Sequence, residues 1–287
     1  MGQKSNELCG SGNRSSEDQE PLGDGGIEEY RYLYCLFSLG GDCSIEKEGV
    51  DGEKVYCISV GDLTAAVHTC DGIYDTDDRD KVREWLFRHQ YVIDSVGEEY
   101  GTPIPFRFDT LIEGGDEQVE EWISENYDDL EDILEQYNGR WEYRAQLYWN
   151  VDELDRELID SNPELSDLRK EIESGGSGRS FLLEKKLKAK LKDYRAEKGK
   201  EFMDGIKDDV EDNVVEIEES KPTGENTAEG EKKHVGSLVI LMEKGAEEQV
   251  GEVLDEVAAR PGVEIKYTGP WPPYSFISEV IDQNGTR

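Results

Sequence analysis

Histidines are the side chains of this chain best suited to catalysis or metal binding, because imidazole acts as a base or a ligand near neutral pH. There are three, His68, His89 and His234. No two stand at metal-ligand spacing, and neither a His-Glu-x-x-His nor a Gly-x-Ser-x-Gly motif occurs. Helical spacing predicts one buried face that includes Trp85 and Leu86, and His89 lies beside it, which favours a structural histidine over a catalytic base. The histidines therefore predict neither a catalytic centre nor a bound cofactor.

Two loops resemble ligand sites. The first, Asp75–Asp80, begins like a calcium loop, but Asp80 stands where glycine is needed, so we interpret the segment as a helix N-terminus. The second holds glycines 175, 176 and 178 before a helix and could cradle an anion. No strand precedes it, which favours a flexible linker. An enzyme acting on a small anion there remains the alternative interpretation.

Cysteines are confined to the first quarter of the chain. Their number is odd and no Cys-x-x-Cys pair occurs, which argues against a disulfide framework and a zinc site. We expect Cys35 and Cys57, which lie in strand-like runs, to be small buried residues. The five are Cys9, Cys35, Cys43, Cys57 and Cys70.

Carboxylates dominate the composition, with 68 acids, 32 bases and a formal net charge of −36. Such a chain repels nucleic acid and anionic lipid. Because periodic apolar faces accompany the acids in most segments, we expect a folded protein of a halophilic cytosol, where molar salt screens the repulsion within ~3 Å. No window approaches 18 apolar residues and the first residues resemble no secretory signal, so we expect a cytoplasmic protein without a membrane span.

One stretch reverses the charge pattern, since residues 179–200 hold nine bases and three acids. The favoured interpretation pairs them within the molecule, with the acidic helix predicted at 116–137. The other is a docking surface for an acidic partner, with Lys188, Lys192 and Arg195 in contact. Nucleic-acid binding is disfavoured because aromatics are not interleaved with the bases.

Alternating and helical apolar patterns divide the chain into two α+β halves. We predict two small α/β-sandwich domains of ferredoxin-like type, with a long helix in the second. The predicted boundaries are a disordered tail at 1–27, domains at 28–138 and 139–280, a mobile loop at 221–234 and a tail at 281–287. Residues 40–52 are a further candidate for a mobile loop.

The segment 269–276, Gly-Pro-Trp-Pro-Pro-Tyr-Ser-Phe, combines three prolines with aromatic side chains. Each proline fixes its own φ and keeps the preceding residue out of the helical region, so the segment is stiff and extended. We expect Trp271 and the prolines to pack largely within the second domain.

The same segment resembles the C-terminal signature of the gas vesicle GvpF/GvpL family. Three further places agree with that family in order along the chain: Tyr32–Cys35 with its opening strand, Thr102–Phe108 with a strand carrying an arginine, and Ser177–Leu183 with the start of its long helix. Phe181 replaces the family's usual tyrosine. Length and acidity are most similar to the haloarchaeal GvpL branch.

The resemblance implies a two-domain, non-enzymatic accessory protein of gas vesicle formation. It implies contact with the hydrophobic shell protein GvpA and other accessory Gvp proteins, which would prevent aggregation of GvpA or nucleate its assembly, with this protein associated with the vesicle or retained as a minor component. A proline-rich ligand for an SH3-like domain is disfavoured because the motif is short and tethered to a strand. The candidate partner-binding residues are Trp271, Pro272, Pro273, Tyr274, Arg107, Lys188, Lys192 and Arg195.

Overall fold

Two antiparallel sheets, one in each half of the chain, organise the computed structural model, which describes residues 29–39, 42–220 and 232–277. The expected tails at 1–27 and 281–287 lie outside these residues. The elements of the first half are β1 Tyr30–Ser38, β2 Tyr56–Val60, β3 Leu63–Cys70, α1 Arg79–Tyr100, β4 Ile104–Pro105, β5 Leu111–Glu113, α2 Asp116–Glu125 and α3 Tyr127–Tyr137. Those of the second half are β6 Arg140–Asn150, α4 Val151–Ser161, α5 Pro163–Ser174, α6 Ser177–Val210, β7 Glu216–Ser220, β8 Lys232–Glu243, α7 Glu247–Ala258 and β9 Val263–Trp271.

The second half has the split βαβ topology of a ferredoxin-like domain. Its strand order is β7-β8-β6-β9, with helices in both crossovers. The first sheet has the matching order β2-β3-β1-β4, with β5 also paired to β1. Its first crossover, from β1 to β2, contains no α-helix among the described residues. The predicted α+β class is therefore confirmed, and the first half departs from the ferredoxin-like pattern at this crossover.

Strand β1 is buried on both faces, which explains its run of large apolar residues. Tyr32 and Tyr34 face α1 in one core, whereas Leu33 and Leu36 face α2 and α3 in the other. Helices thus cover both sides of the first sheet. In the second half, one core joins the sheet to α7 and the end of α6, and another joins α4, α5 and the start of α6.

Several predicted elements require correction. The strand that the resemblance implies at Thr102–Phe108 is limited to Ile104–Pro105. Arg107 lies in the turn that follows, in which the N–H of Thr110 donates to the carbonyl of Arg107 and Asp109 adopts φ 68°. The expected mobile loop includes residues 232–234, which begin β8; residues 221–231 lie outside the described chain. In the 40–52 loop, of which 42–52 are described, Ile45 and Val50 are buried in the α1-facing core.

Cysteine pairing also differs from expectation. Cys43 and Cys57 form a disulfide, with their Cα atoms 6.2 Å apart, so Cys57 is not a simple buried thiol. The sequence argument failed because the pairing joins the β1–β2 loop to a strand, a proximity that spacing alone does not reveal. Cys35 is buried and free as expected, and Cys70 is also free. Within the described residues, no helix is both long and apolar enough to cross a bilayer.

Candidate functional site

The C-terminal clasp, residues 269–277, extends from the end of β9 back to the first half of the molecule. The clasp begins at Gly269, which adopts φ +135° and is joined to Pro270 by a cis peptide bond. A Cβ at this position would lie 2.6 Å from Cδ1 of Tyr143 and 2.9 Å from the carbonyl oxygen of Glu142. Only glycine therefore suits the place where β9 irregularly pairs with β6 before the chain turns away.

Residues beyond this turn anchor in the first half. The Tyr274 hydroxyl donates to Oε1 of Gln90 on α1 at 2.8 Å, and the Tyr137 hydroxyl on α3 donates to the carbonyl of Phe276 at 3.1 Å. Ile277 is 1% exposed in the core beneath α2 and α3. The residues that follow the prolines therefore pack into both cores of the first half. The expectation that Trp271 and the prolines pack largely within the second domain stays a prediction, and Trp271 does pair with Glu142 on β6.

A buried carboxylate holds the clasp on the second-half side. Glu142, on β6, is 1% exposed; its two oxygens accept from the N–H of Ser275 at 2.8 Å and the hydroxyl of Ser275 at 3.0 Å. Arg144 donates to the same carboxylate at 3.2 Å. A buried charge needs such partners, so Glu142 and Ser275 together lock the turn between the halves.

These contacts change the interpretation of the proline-rich residues. Pro272 and Pro273 are buried and Tyr274 is largely buried, where desolvation raises the pKa of its hydroxyl. Burial leaves these three little surface for contact, and their assignment as partner-binding residues stays a prediction. Trp271 keeps 36% of its surface exposed and Arg107 is exposed in the turn after β4. A partner contact remains a proposal for these two.

The bases of α6 pair chiefly with α4 and α5. Nη2 of Arg195 donates to Oδ2 of Asp155 at 3.1 Å, and Nε of the same guanidinium approaches Oδ1 at 2.7 Å, off the hydrogen-bonding axis. Lys190 lies 2.7 Å from Glu164, and the hydrogen bond from Lys190 lowers the pKa of that carboxyl. Intramolecular pairing is therefore present, but the partners are not the α2–α3 acids that we expected.

Lys188 and Lys192 remain on the surface. Among the described residues neither has a salt bridge. They lie beside different concavities: Lys188 lines a groove against α4 and α5, whereas Lys192 and Arg195 line a deeper cavity toward the sheet. The three residues predicted as one contact surface are thus divided between two places.

An apolar surface on α1 escaped the sequence analysis. Leu86, assigned to the buried face, is 47% exposed, and it adjoins Phe87 at 68% and Tyr91 at 40%. The rings of Phe87 and Tyr91 stack, with centroids 6.4 Å apart. We call these three residues the α1 patch. The sequence feature that could have revealed this patch is the i, i+4 spacing of Phe87 and Tyr91, which lie outside the buried stripe that contains Trp85 and Val92.

The buried histidines are satisfied structurally, as predicted for His89. Its Nε2 donates to the carbonyl of Phe106 at 3.1 Å, which leaves Nδ1 to accept from the Tyr32 hydroxyl at 2.8 Å. His68 bridges the hydroxyls of Tyr34 and Tyr74, at 2.8 Å each. Burial lowers the pKa of both histidines to about 4. Neutral rings fit these networks, which belong to the α1-facing core.

Polar side chains at the start of α6 are also engaged. Arg179 pairs with Glu171 at 3.1 Å, and the Ser180 hydroxyl donates to the carbonyl of Ile172 at 3.1 Å. Both contacts tie α6 to α5, so nothing here supports the alternative of an anion-binding enzyme. Across the described ranges, no group of three or more His, Cys, Asp or Glu side chains could hold a metal ion.

Comparison with known proteins gives one consistent result. Residues 30–278 match the model of the family described as gas vesicle synthesis protein GvpL/GvpF. Gas vesicle protein L1 of Halobacterium salinarum is 34% identical, over 88% of this chain and 92% of its own length. Gas vesicle protein L of Haloferax mediterranei is 36% identical, over 81% of this chain and 73% of its own.

Solved structures agree on the fold. The crystal structure of the gas vesicle protein GvpF from Anabaena sp. PCC7120 aligns with a TM-score of 0.69 at 17% identity, covering 86% of this chain and 98% of that one. GvpF from Microcystis aeruginosa aligns with a TM-score of 0.63, at the same identity and coverage. At this identity the likeness supports the two-sheet architecture alone.

Proposed function

This chain belongs to the gas vesicle synthesis protein GvpL/GvpF family, which implies a role in gas vesicle formation, and we propose that it fills this role by binding the shell protein GvpA and other accessory Gvp proteins. It acts through protein contacts rather than catalysis. Bound in this way, GvpA is kept from aggregating or is seeded for assembly. The protein works in the cytoplasm and associates with the vesicle, where it is retained as a minor component.

The observation that carries this proposal is the α1 patch. Leu86, Phe87 and Tyr91 place large apolar side chains in solvent on a chain that carries 68 acids. Grouped exposed hydrophobic side chains of this kind mark contact surfaces, whereas single ones need no explanation. The helix beneath is fixed by Trp85, Val92 and Ile93 in the core, so the patch is presented on a rigid element.

High salt suits this mode of binding. Salt strengthens the burial of apolar surface, so a hydrophobic shell subunit aggregates readily in a halophilic cytosol. The same salt screens the repulsion between two acidic proteins to within ~3 Å. The α1 patch therefore captures an apolar subunit, while the many carboxylates on the rest of the chain keep the complex dissolved. Trp271 and Arg107 are secondary candidates for contact.

Copurification in molar KCl tests the proposal. GvpA is expressed with tagged wild-type protein, with Phe87→Lys and with Phe181→Lys, which alters an exposed aromatic of similar accessibility, 56%, on α6. We expect GvpA to copurify with wild type and Phe181→Lys and to be lost with Phe87→Lys. Equal recovery of GvpA with all three proteins would show that the α1 patch does not bind GvpA. If GvpA copurified with none of the three, GvpA binding itself would be refuted.

A further inference from the structure

A cavity of about 580 Å³ lies where the second part of α6 faces the end of β7, the start of β8 and the start of α4. Its floor is apolar and consists of Trp149, Leu154, Met203 and Val235. Gly199 shapes one wall, because a Cβ there would lie only 2.8 Å from Cγ1 of Val235. The volume falls within the ~300–1,000 Å³ usual for binding pockets.

The rim of this cavity is cationic. Lys192, Lys200 and Lys233 line it, and none of the three forms a salt bridge with another described residue. Opposing them are Asp193 and Glu219. Acids outnumber bases 68 to 32 in this chain, so three lysines around one apolar opening, none of them in a salt bridge within the described part of the chain, form a local excess of positive charge.

We propose that this cavity binds an acidic segment of a partner protein, which inserts one aliphatic or aromatic side chain over Trp149 and Met203. Carboxylates flanking that side chain pair with the rim lysines. The site is separate from the α1 patch and does not depend on how GvpA is bound.

Charge and shape favour this occupant over others. A nucleic acid is disfavoured because the chain carries 68 acids against 32 bases, and this negative charge repels phosphate groups. The chain's own segment 221–231 contains Glu225, Glu229 and Glu231, but its sequence has no aliphatic or aromatic residue larger than Pro222 to match an apolar floor. An acidic segment with an apolar anchor satisfies the lysines and the floor together, and the apolar part of its binding persists in molar salt.

Fluorescence anisotropy with a labelled peptide, Glu-Glu-Leu-Phe-Glu-Glu, tests the proposal in molar KCl. The occluding variant is Ala196→Trp, on an exposed residue of the cavity wall, and its matched control is Ala189→Trp on the same helix outside the cavity. The charge variant is Lys192→Glu with Lys200→Glu, matched by Lys185→Glu with Lys186→Glu. Circular dichroism confirms that each variant is folded.

We expect saturable binding that Ala196→Trp weakens more than tenfold and that the rim charge variant weakens roughly threefold, since salt screens part of each pair. Both controls should bind as wild type does, and the peptide Glu-Glu-Gly-Ser-Glu-Glu should not bind. No saturable binding of the probe, or equal binding of Lys-Lys-Leu-Phe-Lys-Lys, would overturn the proposal. The proposal would also fail if decanoate or a short single-stranded oligonucleotide displaced the labelled peptide with an affinity equal to that of the unlabelled peptide. A large gain in affinity for the peptide on replacing the three glutamates of 221–231 with glutamine would overturn it as well.

Discussion

At the scale of single residues, Gly269 shows why the proline-rich motif has its composition. Its positive φ and close approach to Tyr143 exclude any side chain. We expect Gly269→Ala to lower the free energy of unfolding by about 2 kcal/mol. The matched control is Gly251→Ala on α7, where a Cβ meets nothing within 4 Å, and helix propensity predicts a gain of roughly 0.5–1 kcal/mol. Urea unfolding in molar KCl measures both, and equal effects would contradict the strain argument.

The buried histidines predict a pH dependence of stability. His68 and His89 have their pKa lowered from 6.5 to about 4 in the folded protein, chiefly by burial. Between these values the unfolded chain binds more protons than the folded one, so stability is present at higher pH and is lost as pH falls from about 6.5 to about 4. The loss is of order 3 kcal/mol for each histidine.

Urea unfolding at a series of pH values measures this dependence. His89→Gln keeps a donor for the Phe106 carbonyl and an acceptor for Tyr32 but does not titrate, so its stability should decline less steeply between pH 6.5 and 5. If the His89→Gln and wild-type curves run parallel, the buried histidine does not govern the acid response.

At the scale of elements, the clasp connects the two halves. Its last described residue, Ile277, is 1% exposed in the core formed by α2, α3 and the first sheet. Ile277→Ala should therefore lower the free energy of unfolding by about 2–5 kcal/mol. Trp271→Ala, on an exposed residue of the same segment, should change it by less than half of that. Thermal unfolding compares the two, and a larger loss from Trp271→Ala would contradict the assigned anchoring.

Much of this arrangement was readable from the sequence, and the limits have physical causes. Alternation and helical spacing gave the strands and helices, because both record which face is buried. They did not show that Tyr274 and Ile277 bury against the first half, since such contacts join residues far apart in the chain. Likewise, the partners of Arg195 and Lys190 depend on how α4 and α5 pack. The α1 patch was missed because a helical apolar pattern was taken to be entirely buried.

At the scale of the whole molecule, the net charge of −36 sets the salt response. Raising KCl from about 0.1 M to about 1 M shortens the Debye length from ~10 to ~3 Å, which relieves repulsion between surface carboxylates of the folded state. We expect the melting temperature to rise over this range. Sucrose at matched osmolality is the control, because it is excluded from the protein surface but does not screen charge, and it should raise the melting temperature less. An equal rise in melting temperature with sucrose would show that charge screening is not the cause.

If this protein captures a hydrophobic shell subunit, it should alter the assembly of GvpA in molar KCl. Light scattering is followed after denatured GvpA is diluted into buffer alone, with wild-type protein, or with Phe87→Lys. Wild type should change the time course in proportion to its concentration, by slowing the rise if it holds GvpA apart or by shortening the lag if it seeds assembly. Phe87→Lys should return the trace toward that of GvpA alone. Superimposable traces with and without wild-type protein would contradict the account.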